Sequence, residues 1–131
     1  MATEVARPDP APRRPEVIVD VEFDRGLLHL AVRNIGDRPA LDVATDFGGE
    51  LIGLGGERDL AALPLFRNIT FLAPAKSIRT LLDSTASWFA GRQPTTITAR
   101  VRYRDEAGTQ YEGTMVHDLE IYREIAYVRG D

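Results

Sequence analysis

An antiparallel two-sheet sandwich of about seven strands, all-β with helix as a minor component, is the fold that the sequence predicts, and three stretches predict it. Residues 28–47, LHLAVRNIGDRPALDVATDF, alternate apolar and polar side chains, break at Asn34-Ile35-Gly36-Asp37-Arg38-Pro39, and alternate again. Period-two alternation interrupted by turn chemistry marks half-buried strands joined by a connection. Residues 17–23 and 97–118 carry the same alternation, and each can be paired with a neighbour so that the apolar side chains share one face. A chain of 131 residues is the size of one domain and buries enough apolar surface to hold a core without staples.

Taken in order, residues 1–15 hold Pro8, Pro10, Pro12 and Pro15 and almost no bulky apolar side chain. Such a stretch cannot offset the entropy of ordering and is expected to be a disordered, proline-rich arm outside the fold. The sandwich is expected to span 16–122. Its first strand places Val17, Val19, Val21 and Phe23 on one face, and a four-residue loop, Asp24-Arg25-Gly26-Leu27, sets Phe23 opposite Leu28, Val21 opposite Leu30 and Val19 opposite Val32. One residue fewer in the loop would put Val21 against His29 and divide the apolar sets between faces.

Residues 48–68 contain five glycines, together with too many apolar side chains for a solvated linker, so an irregular connection with short strand or helical pieces is expected to lie on the sandwich. Residues 69–72 read as a short strand, 73–76 as a turn, and 77–83 as a strand with Ile78, Thr80 and Leu82 inward. Residues 84–90, STASWFA, suit a helical turn capping one end, with Trp88 and Phe89 as lids on the core. In the last hairpin a five-residue loop, 105–109, pairs Tyr103 with Tyr111, Val101 with Gly113 and Ala99 with Met115 inside, and brings Arg102 to Glu112 outside. Leu119 and Ile121 continue the inward set and extend the strand to about Tyr122, leaving 123–131 as a C-terminal tail.

The segment Leu30-Ala31-Val32-Arg33-Asn34-Ile35-Gly36-Asp37-Arg38-Pro39-Ala40, followed by Leu41-Asp42-Val43, resembles bacterial immunoglobulin-like modules of the CARDB-like, cell-adhesion-related kind. In those modules a strand ends in Asn-x-Gly and Pro-Ala begins the next. Phe71-Leu72-Ala73-Pro74-Ala75-Lys76-Ser77-Ile78 is similar to that family's inter-strand turn, except that Ala75 stands where a glycine usually follows the proline. The resemblance implies an immunoglobulin/fibronectin-III-like sandwich over about 16–122 and a binding or spacer role in a larger protein.

Composition narrows the function. Twenty acidic against 16 basic residues give a formal charge of −4, which argues against a nucleic-acid binder that works by phosphate neutralisation. Lys76 is the only lysine beside fifteen arginines, a bias that fits a GC-rich bacterial genome. Without cysteine there is no disulfide and no thiolate metal site. Neither a secretory h-region nor an apolar run of the ~18–20 residues a membrane span needs is present, so a cytoplasmic chain with no membrane span is expected.

No reaction centre emerges. His29 and His117 are the only histidines, and His117 and Asp118, adjacent on a strand, face opposite ways. Ser77, Ser84 and Ser87 lie in no G-x-S-x-G elbow. Asp24, Asp37 and Asp105 could bind calcium if they converged at one end, but aspartate also initiates ordinary turns. Gly48-Gly49 and Gly55-Gly56 match no nucleotide loop. No cofactor and no metal are expected.

What remains is a basic stripe, Arg100, Arg102 and Arg104, and an apolar tail, Ile125, Tyr127 and Val128, as candidate partner-binding residues. The expected function is a non-enzymatic protein-binding or structural accessory module of a larger bacterial assembly. A carbohydrate- or small-ligand-binding sandwich is the alternative, and an enzyme of unrecognised type comes last.

Overall fold

The computed structural model describes residues 13–91, 93–123 and 125. Its elements run β1 (Val17–Asp24), β2 (Leu27–Asn34), β3 (Ala40–Asp46), the two-residue strands β4 (Ile52–Gly53) and β5 (Arg58–Asp59), a 3₁₀ turn (Leu60–Ala62), α1 (Pro64–Arg67), β6 (Ile69–Leu72), β7 (Ser77–Ser84), α2 (Thr85–Ala90), β8 (Thr96–Arg104), β9 (Gln110–Asp118) and a second 3₁₀ turn (Leu119–Tyr122). A three-stranded sheet, β1-β2-β7, faces a four-stranded one, β6-β3-β8-β9, and β4 pairs only with β5. This is the predicted antiparallel sandwich, with seven strands divided three against four. Its core joins Val19, Val21, Leu28, Leu30 and Val32 of the first sheet to Val43, Leu72, Ala99, Val101 and Tyr103 of the second. Val32 and Val101 are fully buried, as the alternation requires.

Both sequence-derived registers hold. Phe23 pairs with Leu28, Val21 with Leu30 and Val19 with Val32. The connection is shorter than the four residues expected: Asp24 and Leu27 also pair, leaving Arg25 and Gly26 with φ of 53° and 82°. Two residues in left-handed conformation make a type I′ turn, whose twist matches that of the strands. The register survives because two more paired residues preserve the parity. In the other hairpin Tyr103 pairs with Tyr111, Val101 with Gly113 and Ala99 with Met115. Asp105 holds the five-residue loop, its carboxylate accepting from the backbone N–H groups of Ala107 and Thr109.

The last strand ends earlier than the alternation implied. Asp118 accepts a hydrogen bond from the Glu120 N–H and caps the 3₁₀ turn, so β9 stops there instead of reaching Tyr122. A 3₁₀ turn has a period near three. Leu119 is therefore buried as expected, whereas Ile121, expected inward, is 63% exposed. Side chains of β9 and this turn close the free edge of β1: Met115 Sδ accepts from the Val19 N–H, His117 Nε2 lies 2.7 Å from the Val19 carbonyl, and the Tyr122 hydroxyl donates to the Val21 carbonyl. An edge engaged in this way is a poor template for a further strand.

The two ends of the sandwich are closed differently. At one end the buried Asn34 side chain donates to the carbonyls of Arg38 and Leu72 and accepts from the N–H groups of Glu16 and Gly36. A Cβ on Gly36 would collide with the Arg14 carbonyl, which is why glycine stands there. Arg13, Arg14 and Pro15 belong to the arm expected outside the sandwich, yet they pack on this turn. The Arg14 N–H donates to Asp37, the Arg14 carbonyl accepts from the Asp37 N–H, and Pro15 is buried. The rest of that arm, 1–12, lies outside the described residues. At the other end Trp88 of α2 is fully buried, its indole N–H donating to the Pro94 carbonyl. Buried Asp83 accepts from Gly55, and the Leu82 carbonyl accepts from Leu54, which fastens the 48–68 connection to β7.

Candidate partner-binding face

The outward positions of the four-stranded sheet bring together a set of side chains from four strands. Because β8 alternates inward Ile97, Ala99, Val101 and Tyr103, its arginines 100, 102 and 104 all point outward, and the predicted stripe is real. Register then assigns the neighbours. Phe71, Leu41, Arg104 and Gln110 lie in one row across β6, β3, β8 and β9; Ala44, Arg102 and Glu112 lie in the next; Asp46, Arg100 and Thr114 follow. Phe71 is 56% exposed, a large apolar group for a solvated surface.

The three arginines are not equivalent. Arg104 Nε donates to Asp42 at 2.9 Å, and Asp42 reaches it from a β-bulge in which φ is 52°. Arg100 Nε lies 3.4 Å from Glu112. Arg102 is the backbone partner of Glu112, as expected, but the ion pair forms along the diagonal to Arg100, where strand twist brings long side chains together. Arg102 is exposed and has no ion pair or hydrogen bond to its side chain among the described residues. It borders an open depression of about 310 Å³ shared with Asp42, Ala44, Arg104 and Gln110.

The opposite outer face, on β1-β2-β7, balances its charges internally. Arg33 lies 3.8 Å from Asp20, and Arg79 lies 3.1 Å from Glu22 and 3.9 Å from Asp24.

The apolar tail is not continuous with the arginine stripe. The eight steps of β9 from Gln110 to Asp118 span about 27 Å, and the 3₁₀ turn begins at the far end from Arg104. There Tyr122 stacks on Phe23 with centroids 5.6 Å apart, and the Arg123 guanidinium lies 4.3 Å from the Phe89 ring centroid. Ile125 follows, 43% exposed; Tyr127 and Val128 lie outside the described residues.

The other candidates separate as follows. Asp24 sits at the end opposite Asp37 and Asp105, so the three turn aspartates do not converge. Burial acts to raise the Asp105 carboxyl, but hydrogen bonds from the Thr109 N–H, the Tyr111 hydroxyl and the Ala107 N–H outweigh it and hold it below its ordinary value. Asp37 is likewise lowered: burial opposes the shift, and the Arg13 guanidinium and Arg14 N–H overcome it. Both are structural turn carboxylates. His29 Nδ1 is buried and without a hydrogen-bond partner among the described residues. The single tryptophan is in the core, so it offers no stacking surface to a sugar. Among the described residues no helix is long and apolar enough to cross a membrane.

Sequence reasoning missed Leu41, Asp42, Ala44 and Phe71, because only the β3–β6 and β3–β8 pairings place them beside the arginines. The outward phase of Phe71 in Ile69-Thr70-Phe71-Leu72 was the available signal. Residues 6–123 match the family described as Domain of unknown function (DUF8453), and the chain belongs to that family. Comparison with curated proteins and with solved structures finds no match.

Proposed function

We propose that this chain is a non-enzymatic protein-binding module, an accessory or structural subunit of a larger bacterial assembly, which docks through the outer face of its four-stranded sheet. The observation that carries the reading is Arg102, exposed without an ion-pair partner among the described residues, on the face that also leaves Phe71 half exposed. Arginine and aromatic side chains are enriched at the energetic centres of protein interfaces. The other outer face pairs both of its arginines, Arg33 and Arg79, with carboxylates, and an apolar group exposed on it, Leu81, is 36% exposed against 56% for Phe71. The resemblance of the Asn34-Ile35-Gly36 and Pro74-Ala75 segments to cell-adhesion-related modules supports a binding or spacer role.

The test is capture from the native source by the tagged chain, with mass spectrometry, comparing wild type with Arg102→Glu and Phe71→Ser. A defined protein should be retained by wild type and lost from both variants at unchanged melting temperature. Retention indifferent to both substitutions would move the docking surface elsewhere, and no retained protein would count against the module itself.

A further inference from the structure

We propose that the group this face accepts is a single carboxylate, carried by an acidic side chain of an extended partner segment that also lays an apolar side chain on Leu41 and Phe71. The inference rests on the docking reading above and adds the chemistry of the occupant. Three arginines share the face, and two are balanced, Arg100 by Glu112 and Arg104 by Asp42. Asp46, the third carboxylate of the face, lies in the row of Arg100, beyond the depression; among the groups that line the depression, Asp42, Arg102 and Arg104, the surplus is one positive charge, on Arg102. A carboxylate neutralises it without excess.

A phosphate would bring roughly two negative charges next to Asp42 and Glu112 and would be repelled by whatever exceeded the surplus. The depression exists because position 44 is alanine: opposite Arg102, its small side chain leaves the sheet open between taller neighbours. A guanidinium beside such a hollow can meet a carboxylate with two parallel N–H donors. Leu41 lies three residues from Ala44 along β3, about 10 Å away, with Phe71 as its cross-strand neighbour. An acidic residue and an apolar one three positions apart in a segment of polyproline II form, which repeats every three residues, share one face about 9 Å apart and cover both.

The experiment titrates the ¹⁵N-labelled chain with short synthetic peptides holding an Asp-x-x-Leu core in a threonine background, and with counterparts carrying Asn or phosphoserine for Asp, or Ser for Leu. The Asp-Leu peptide should shift the amides around Leu41, Ala44 and Arg102. Binding should weaken about fivefold with the Asn peptide or with Arg102→Gln, as loss of an exposed ion pair allows, and should fall with added salt. Arg79→Gln on the other sheet should leave it unchanged. Equal binding of the Asp and Asn peptides, tighter binding of the phosphoserine peptide, or shifts confined to another surface would overturn the proposal. If the peptides fail while protein capture still depends on Arg102 and Phe71, the carboxylate chemistry is wrong and the docking face stands; if both fail, both are wrong.

Discussion

The two ends of the sandwich solve the same problem, closing the gap between sheets, with opposite materials. At the Asn34 end a single amide joins four segments: the chain entering β1, the β2–β3 turn, the end of β6 and, through its own backbone, the β6–β7 turn. At the Trp88 end the closure is volume, an indole with Phe66, Leu51 and Leu60 contributed by long connections. Hydrogen-bond closure depends on the identity and direction of each group, whereas volume closure depends on filling space. The difference predicts which substitutions each end tolerates.

The largest effect should come from removing the bulk. Trp88→Ala is expected to cost about 3–5 kcal/mol, while Trp88→Phe, which keeps most of the volume, should cost less than half as much. Asn34→Ala should cost about 2–4 kcal/mol, because it removes four hydrogen bonds at once and strands the buried Leu72 carbonyl together with the part-buried Glu16 and Gly36 N–H groups. Asn34→Leu should rescue none of this despite its similar size. Urea melts of the four variants decide the matter, and a mild Asn34→Leu would show that the first end is also closed by volume. In the shared core Val32→Ala and Val101→Ala should each cost about 1–3 kcal/mol, against less than about 0.5 for Arg100→Ala.

The same contrast explains what could be read from the sequence. Both hairpin registers are legible because the side-chain period is two, so a loop of the correct parity preserves the faces; that is why a four-residue loop and the two-residue turn share one pairing. The Asn34-x-Gly36 segment was legible as a turn, but its hub was not, since its partners include Leu72, 38 residues away. The end of β9 is not legible from alternation, because a local cap, Asp118 on Glu120, competes with it and wins where Leu119 can still be buried. Of the candidate face, the arginine stripe followed from β8 alone. Its apolar half required the order β6-β3-β8, which rests on pairings across long connections.

A smaller effect tests backbone strain. Ala75 has φ of 66° in the turn at the Asn34 end, where the Lys76 N–H donates to the Ala73 carbonyl, and Leu54 has φ of 55° at the other. Left-handed conformation costs a non-glycine residue about 1 kcal/mol, partly offset by the extra freedom glycine gives the unfolded chain. Ala75→Gly should therefore stabilise by about 0.5 kcal/mol. Leu54→Gly loses a half-buried side chain as well and should gain nothing. Thermal melts that rank Leu54→Gly above Ala75→Gly would remove strain as the reason.

The smallest expected effect lies in alkaline titration, where each end carries one perturbed tyrosine. Tyr111 is raised above its ordinary value of 10.0, first by donating its hydroxyl to Asp105, then by burial and the Asp105 charge. Tyr122, at the Trp88 end, is raised by burial and then by the Asp20 charge. In both the folded state holds the phenol proton more tightly than the unfolded state, so their contribution to stability is complete below pH 10.0 and is lost as the pH rises toward the folded values. Asp105 works in the opposite sense: with a lowered folded value, its contribution is present above 3.8 and disappears as the pH falls through that lower value. The variant Asp105→Asn should flatten this acid limb and return Tyr111 toward 10.0 while Tyr122 keeps its shift. Residue-resolved NMR of the tyrosine ring carbons, assigned with Tyr111→Phe and Tyr122→Phe, follows both midpoints. If Asp105→Asn moves Tyr122 as far as Tyr111, the two ends are coupled through the sheets and cannot be treated as independent closures.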